Sequence, residues 1–222
     1  MLKAAINLPR FDEKTIDRIR SQILAGLRQS SQDPSTVASL TLVKELFPNH
    51  PYGRPIKGTS ESIKAIDRAD LKAFKKERLA RDNLIVGVAG DIKPDELGRW
   101  LDQIFLDLPV TSKVSKIKET QPETSGRTKV VKMDVPQSAI VFAQEGLKRN
   151  DPNFYRAFGL NHILGGGGFT SRLYTEIREK RGLAYSIGSY LYPKSHAGLI
   201  KGYGGTANDR VNETLEVLKK EF

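Results

Sequence analysis

From Leu164 to Tyr185 the chain runs Leu164-Gly165-Gly166-Gly167-Gly168-Phe169-Thr170-Ser171-Arg172-Leu173, on through Glu176-Ile177-Arg178-Glu179-Lys180, to Gly182-Leu183-Ala184-Tyr185. Four consecutive glycines permit positive φ and close backbone approach, so the chain bends sharply here and admits another segment against it. Phe169 to Lys180 reads as a helix, and Gly182 stands where a helix stops before a strand. Arg178 and Tyr185 therefore flank one helix-to-strand corner. Each also has a plain reading: Arg178 as a solvated cation favoured by the helix C-terminal dipole, Tyr185 as a half-buried strand aromatic. A glycine run before a helix can hold a phosphate, but no lysine follows as a phosphate loop requires, so nucleotide binding is set aside.

The remaining composition excludes several classes. With 222 residues and 38% hydrophobic side chains, the chain has enough apolar material for one large or two small domains and is expected to be soluble and globular. No apolar run approaches the roughly 20 residues needed to span a bilayer, and the N-terminal residues do not form a signal-peptide core. The absence of cysteine removes disulfides, thiolate metal sites and thiol catalysis together, and fits either a cytoplasm or a periplasm. A net charge of +10 invites a nucleic-acid reading. The cations are scattered beside acids, as in Lys75-Lys76-Glu77-Arg78, without the interleaved aromatics of a base-stacking surface, so no nucleic-acid partner is expected.

Along the chain, Asp12 is placed to begin a helix with Ile16, Ile19, Ile23 and Leu27 on one stripe, and Asp33-Pro34 to begin a second. His50-Pro51-Tyr52-Gly53-Arg54-Pro55 is dense in turn formers. Ser60 to Leu79 returns to helix in two pieces, the second starting near Asp67. Asn83 to Gly90 is apolar and β-branched and reads as a buried strand; Pro94 then opens a helix through Phe105. Val110 to Arg127 has the composition of an exposed connector. Beyond it, strands are expected at Lys129–Val135, Ser138–Gln144, Ala184–Leu191 and Leu199–Gly204, with a helix around Phe154–Leu164. A final helix places Val211, Leu215, Leu218 and Phe222 on one face with no cap behind it, as expected of a chain that continues. These elements favour an α+β architecture, a mixed and largely antiparallel sheet covered by helices on one face.

His50 to Thr59 followed by Ile63, Asp70-Leu71-Lys72-Ala73-Phe74, Asn83-Leu84 and Val88-Ala89-Gly90-Asp91 resembles, in order and spacing, the latter part of the first domain of the pitrilysin/insulinase family. Those are zinc peptidases with an inverted H-x-x-E-H motif. Pro136-Gln137-Ser138 and the glycine run through Tyr185 are similar to the opening half of that family's second domain. The resemblance implies a duplicated-domain metallohydrolase fold of the LuxS and mitochondrial processing peptidase type. It divides the chain at 1–109 (first domain, C-terminal part), 110–127 (linker) and 128–222 (second domain, N-terminal part). It also implies that Arg178 and Tyr185 assist catalysis from across a cleft, and that Gly165, Gly166, Gly167 and Gly168 bind substrate by shaping the chamber or gating entry to it.

Two departures shape the functional expectation. The only histidines are His50, His162 and His196, none in an H-x-x-E-H arrangement. The family's last zinc ligand, a Glu on the helix before the Asp33-Pro34 turn, has its counterpart near Gly26, in a stretch with no carboxylate between Asp17 and Asp33. The resemblance is therefore to the zinc-less subunit of a two-subunit peptidase. It implies no cofactor in this chain, zinc in a paralogous partner subunit, an extended or unfolded peptide as substrate, and a periplasmic setting slightly ahead of a cytoplasmic one. The alternatives are an active zinc metalloendopeptidase represented here by a fragment, and a scaffold of a processing complex. His50 and Tyr52 are read as structural, and Arg172 as a packing or salt-bridge residue.

Overall fold

A computed structural model of the protein describes residues 1–222, which divide into two compact units. The first comprises Met1–Gly26 with Thr59–Lys116, the second Leu27–Gly58 with Ile117–Phe222. These units reflect packing, whereas the expected ranges 1–109, 110–127 and 128–222 concern the layout of a repeat, and the two divisions do not follow one another.

The first unit is helical. It holds α1 (Leu2–Asn7), the first part of α2 (Glu13–Ser30), α4 (Ser60–Ala65), α5 (Arg68–Arg78) and α6 (Pro94–Phe105). The Asp12 carbonyl accepts the opening backbone bonds of α2. Asp67 caps α5 through a reciprocal bond with Asp70, and Pro94 supplies a first helical position that needs no donor. Asn7 ties α1 down: its amide donates to the Ile104 carbonyl at 2.8 Å and its own carbonyl accepts from Lys75 Nζ at 2.5 Å. Asn83–Gly90 corrects the sequence expectation. It forms no strand, and Ile85 is 95% exposed, because β-branched residues favour a pleated, half-buried surface and no neighbouring strand pairs with this one.

The second unit contains α3 (Pro34–Leu46), β1 (Gln137–Glu145), α7 (Phe154–Asn161), β2 (Ala184–Pro193), β3 (Gly198–Ala207) and α8 (Val211–Glu221). Its sheet is antiparallel in the order β1-β3-β2. Lys129–Val135, expected as a strand, pairs with nothing and is coil; Pro136 cannot donate to a ladder and separates it from β1. Leu173, Ile177, Leu183, Ala184, Ile187 and Leu218 pack together on one sheet face, beneath the helices. On the other face Leu199 meets Leu46 and Phe47, so the end of α3 covers one end of that face. The far end is open.

Candidate functional site

Three backbone irregularities converge on the corner predicted from sequence. After α7 the chain enters a wide π-helical turn at His162–Gly166, tightens at Gly168–Thr170, and widens again at Tyr174–Glu179. Such turns shift the side-chain register of a helix and recur at functional sites. The third irregularity lies in β2. Ala184 pairs with Thr206 and Ile187 with Gly204, so Tyr185 and Ser186 together oppose Gly205 in a β-bulge. Ala184 and Ile187 both point into the core. The extra residue therefore puts Tyr185 and Ser186 out of it, and Tyr185 is 81% exposed.

Arg178 and Tyr185 come together as the sequence suggested. Arg178 Nη1 donates to the Tyr185 carbonyl at 2.9 Å, and its guanidinium carbon lies 4.4 Å from the Tyr185 ring centroid and 4.8 Å from that of Tyr174. A planar cation between two rings keeps its orientation without an anion, and Arg178 has none among the ion pairs of the chain. The neighbouring cations are differently engaged. Lys180 and Arg181 both bond the Glu176 carboxylate and hold its pKa down to about 2. Of the two acids of this turn, Glu176 is thus committed to other partners and Glu179 forms no ion pair with Arg178, which leaves the remaining Arg178 donors for an external carbonyl or oxyanion.

Tyr174 and Phe169 belong to the same construction and were not singled out from sequence. Their rings meet edge to face at 4.9 Å, linking the end of the glycine run to Arg178 in the series Phe169, Tyr174, Arg178, Tyr185. An aromatic residue four positions before an arginine on a helix was the available signal. The glycine run itself packs closely. A Cβ on Gly165 would lie 2.4 Å from Ser189 Oγ and 2.7 Å from Leu173 Cδ1, while Gly168 adopts φ +61°. Asn161 closes the contact by donating to the Ser189 carbonyl at 3.1 Å and accepting from Ser189 Oγ at 2.8 Å. Close packing at Gly165 and the left-handed backbone at Gly168 give these two glycines reasons that are independent of any substrate.

The histidines do not assemble a metal centre. His50 Nδ1 accepts from the Tyr52 amide at 3.2 Å while Nε2 bonds the Lys118 carbonyl, and His196 Nδ1 faces Glu119. His162 is exposed beside the glycine run. No three His, Asp or Glu residues stand close enough to hold an ion, so the donor set does not fit a catalytic zinc. His50 and Tyr52 serve backbone groups, the Tyr52 hydroxyl accepting from the His196 amide at 3.1 Å. Arg172 pairs with Glu221 at 2.7 Å.

Comparison with known proteins places this geometry in context. A family profile described as "Peptidase M16 inactive domain" matches residues 65–222. A protein of Helicobacter pylori named a non-peptidase homolog is 31% identical over 99% of this chain and 50% of its own length. An uncharacterized zinc protease of Streptomyces coelicolor is 27% identical over 96% of this chain and 47% of its own. The crystal structure of a peptidase M16 inactive domain from Pseudomonas fluorescens superposes with a TM-score of 0.90 at 32% identity, covering 99% of this chain and 53% of that one. The chain thus spans about half the length of the curated relatives it matches.

Proposed function

Because the chain belongs to the peptidase M16 inactive-domain family, we propose that it acts as the metal-free member of a two-subunit zinc peptidase. In that role it binds extended or unfolded peptide and lends Arg178 and Tyr185 to a reaction whose metal sits in a paralogous partner. Peptide hydrolysis at zinc develops negative charge on the former carbonyl oxygen, and donors fixed in advance where that charge appears each contribute about 2.7–4 kcal/mol. The observation carrying the reading is the Arg178 guanidinium, oriented by Tyr174 and Tyr185 and free of any carboxylate. The Tyr185 hydroxyl supplies a second, neutral donor from a bulge that leaves it exposed. Substrate backbone can be held by strand addition, since β1 and β2 are both sheet edges; this needs no particular side chain.

Reconstitution of the full-length protein with a zinc-bearing paralogue tests the assignment. Arg178→Ala is expected to lower kcat by about two orders of magnitude with the partner's zinc content unchanged, and Tyr185→Phe by about one. Turnover unchanged in both variants would leave a scaffold role in place of a catalytic contribution.

A further inference from the structure

On the same face of the sheet, beside the end that α3 covers, two lysines face aromatic rings without an acid between them. Lys201 lies on the central strand β3, opposite Tyr190 on β2 and Ala143 on β1. Its ammonium is 5.1 Å from the Tyr192 ring centroid, and Lys194 Nζ approaches the same ring at 4.8 Å and that of Tyr52 at 4.4 Å. Neither lysine enters an ion pair. Glu119 is taken by Lys148 and His196, and Glu145, opposite Leu199 on this face, pairs with nothing. Burial, with the Lys194 charge adding to it, holds Lys201 below the ordinary lysine range. A partly desolvated cation beside a second cation is stabilised by an anion, and no carboxylate of this chain pairs with either lysine.

Resting on the peptide-binding role above, we propose that Lys201 and Lys194 form a subsite for an acidic side chain, glutamate or aspartate, of an extended peptide. The position suits such a ligand. The bulge sends Tyr185 away from the helix-covered core, and Lys201 pairs with Tyr190, five residues farther along β2. At about 3.4 Å per residue the cations lie roughly 17 Å from the Arg178–Tyr185 corner, so the acid falls about five residues from the scissile bond. A single-stranded nucleic acid fits less well. Tyr190 meets Tyr192 at an interplanar angle of 84° and Tyr203 at 50°, so the rings do not offer the parallel faces on which successive bases stack.

The test measures fluorescence anisotropy of a labelled, unstructured peptide carrying glutamates, and of its glutamine isostere, with the full-length protein. The glutamate peptide is expected to bind about tenfold tighter, equivalent to about 1.4 kcal/mol. Lys201→Met combined with Lys194→Gln brings its affinity to the glutamine level without changing the circular dichroism spectrum. Lys201→Arg keeps the preference, and so do Lys219→Gln and Lys220→Gln, which remove the same charge from the exposed side of α8. Equal affinity for the two peptides, a preference that survives loss of both lysines, or displacement by a single-stranded oligonucleotide as readily as by unlabelled glutamate peptide overturns the subsite. If the two peptides bind equally and in an Arg178-dependent way, the subsite alone falls; if neither peptide binds, the peptide-binding role falls with it.

Discussion

The corner depends on what individual residues exclude as much as on what they supply. Gly165 has no room for a methyl group against Ser189 and Leu173, so Gly165→Ala is expected to cost about 1–3 kcal/mol, read as a lower urea midpoint at unchanged slope. Glu176 carries the electrostatics of the turn. Its carboxyl pKa is depressed from an ordinary 4.5 to about 2 by bonds from Lys180 and Arg181, so its contribution is complete above pH 4.5 and disappears as pH falls through about 2. Carboxyl NMR should find that midpoint near 2, and one near 4.5 would mean the pairs do not hold. Arg178 and Tyr185 were legible in the sequence because a glycine run, a helix and a helix stop left them little freedom of placement. Tyr174 and Phe169 were not, since an aromatic at helical spacing looks the same whether it fills a core or orients a cation.

Elements were legible where local pattern sufficed. The helices begun at Asp12, Asp33, Asp67 and Pro94 start within a residue or so of their caps, and β1, β2 and β3 lie where alternation and bounding glycines put them. Asn83–Gly90 and Lys129–Val135 were misread for one reason: composition reports that a segment fits a sheet, whereas pairing is decided by a strand remote in sequence. Amides from Ile85 to Ala89 should therefore exchange with solvent deuterium at rates close to those of an unstructured peptide, while those of β3, bonded on both sides, stay protected. Protection across Ile85–Ala89 equal to that of β3 would restore the strand. The two π-helical turns and the β-bulge also escaped sequence reading, because each inserts a single residue into a regular pattern without altering composition.

At the scale of the molecule, the α+β architecture and the family follow from sequence and structure alike, whereas the division of labour with a partner is the inference that joins them. It rests on two features. The helix around Gly26 carries no carboxylate at the position where the family places its last zinc ligand, and no cluster of His, Asp or Glu elsewhere replaces it. The Arg178–Tyr185 corner is nevertheless built with care, from two π-helical turns, a bulge and three aromatic rings. The most direct measurement is metal content together with peptide hydrolysis for the full-length protein, alone and mixed with a zinc-bearing paralogue. The account predicts neither zinc nor turnover for the protein alone, and turnover on mixing that depends on Arg178. Stoichiometric zinc bound by the protein alone, with peptide hydrolysis in the absence of any companion, would contradict it.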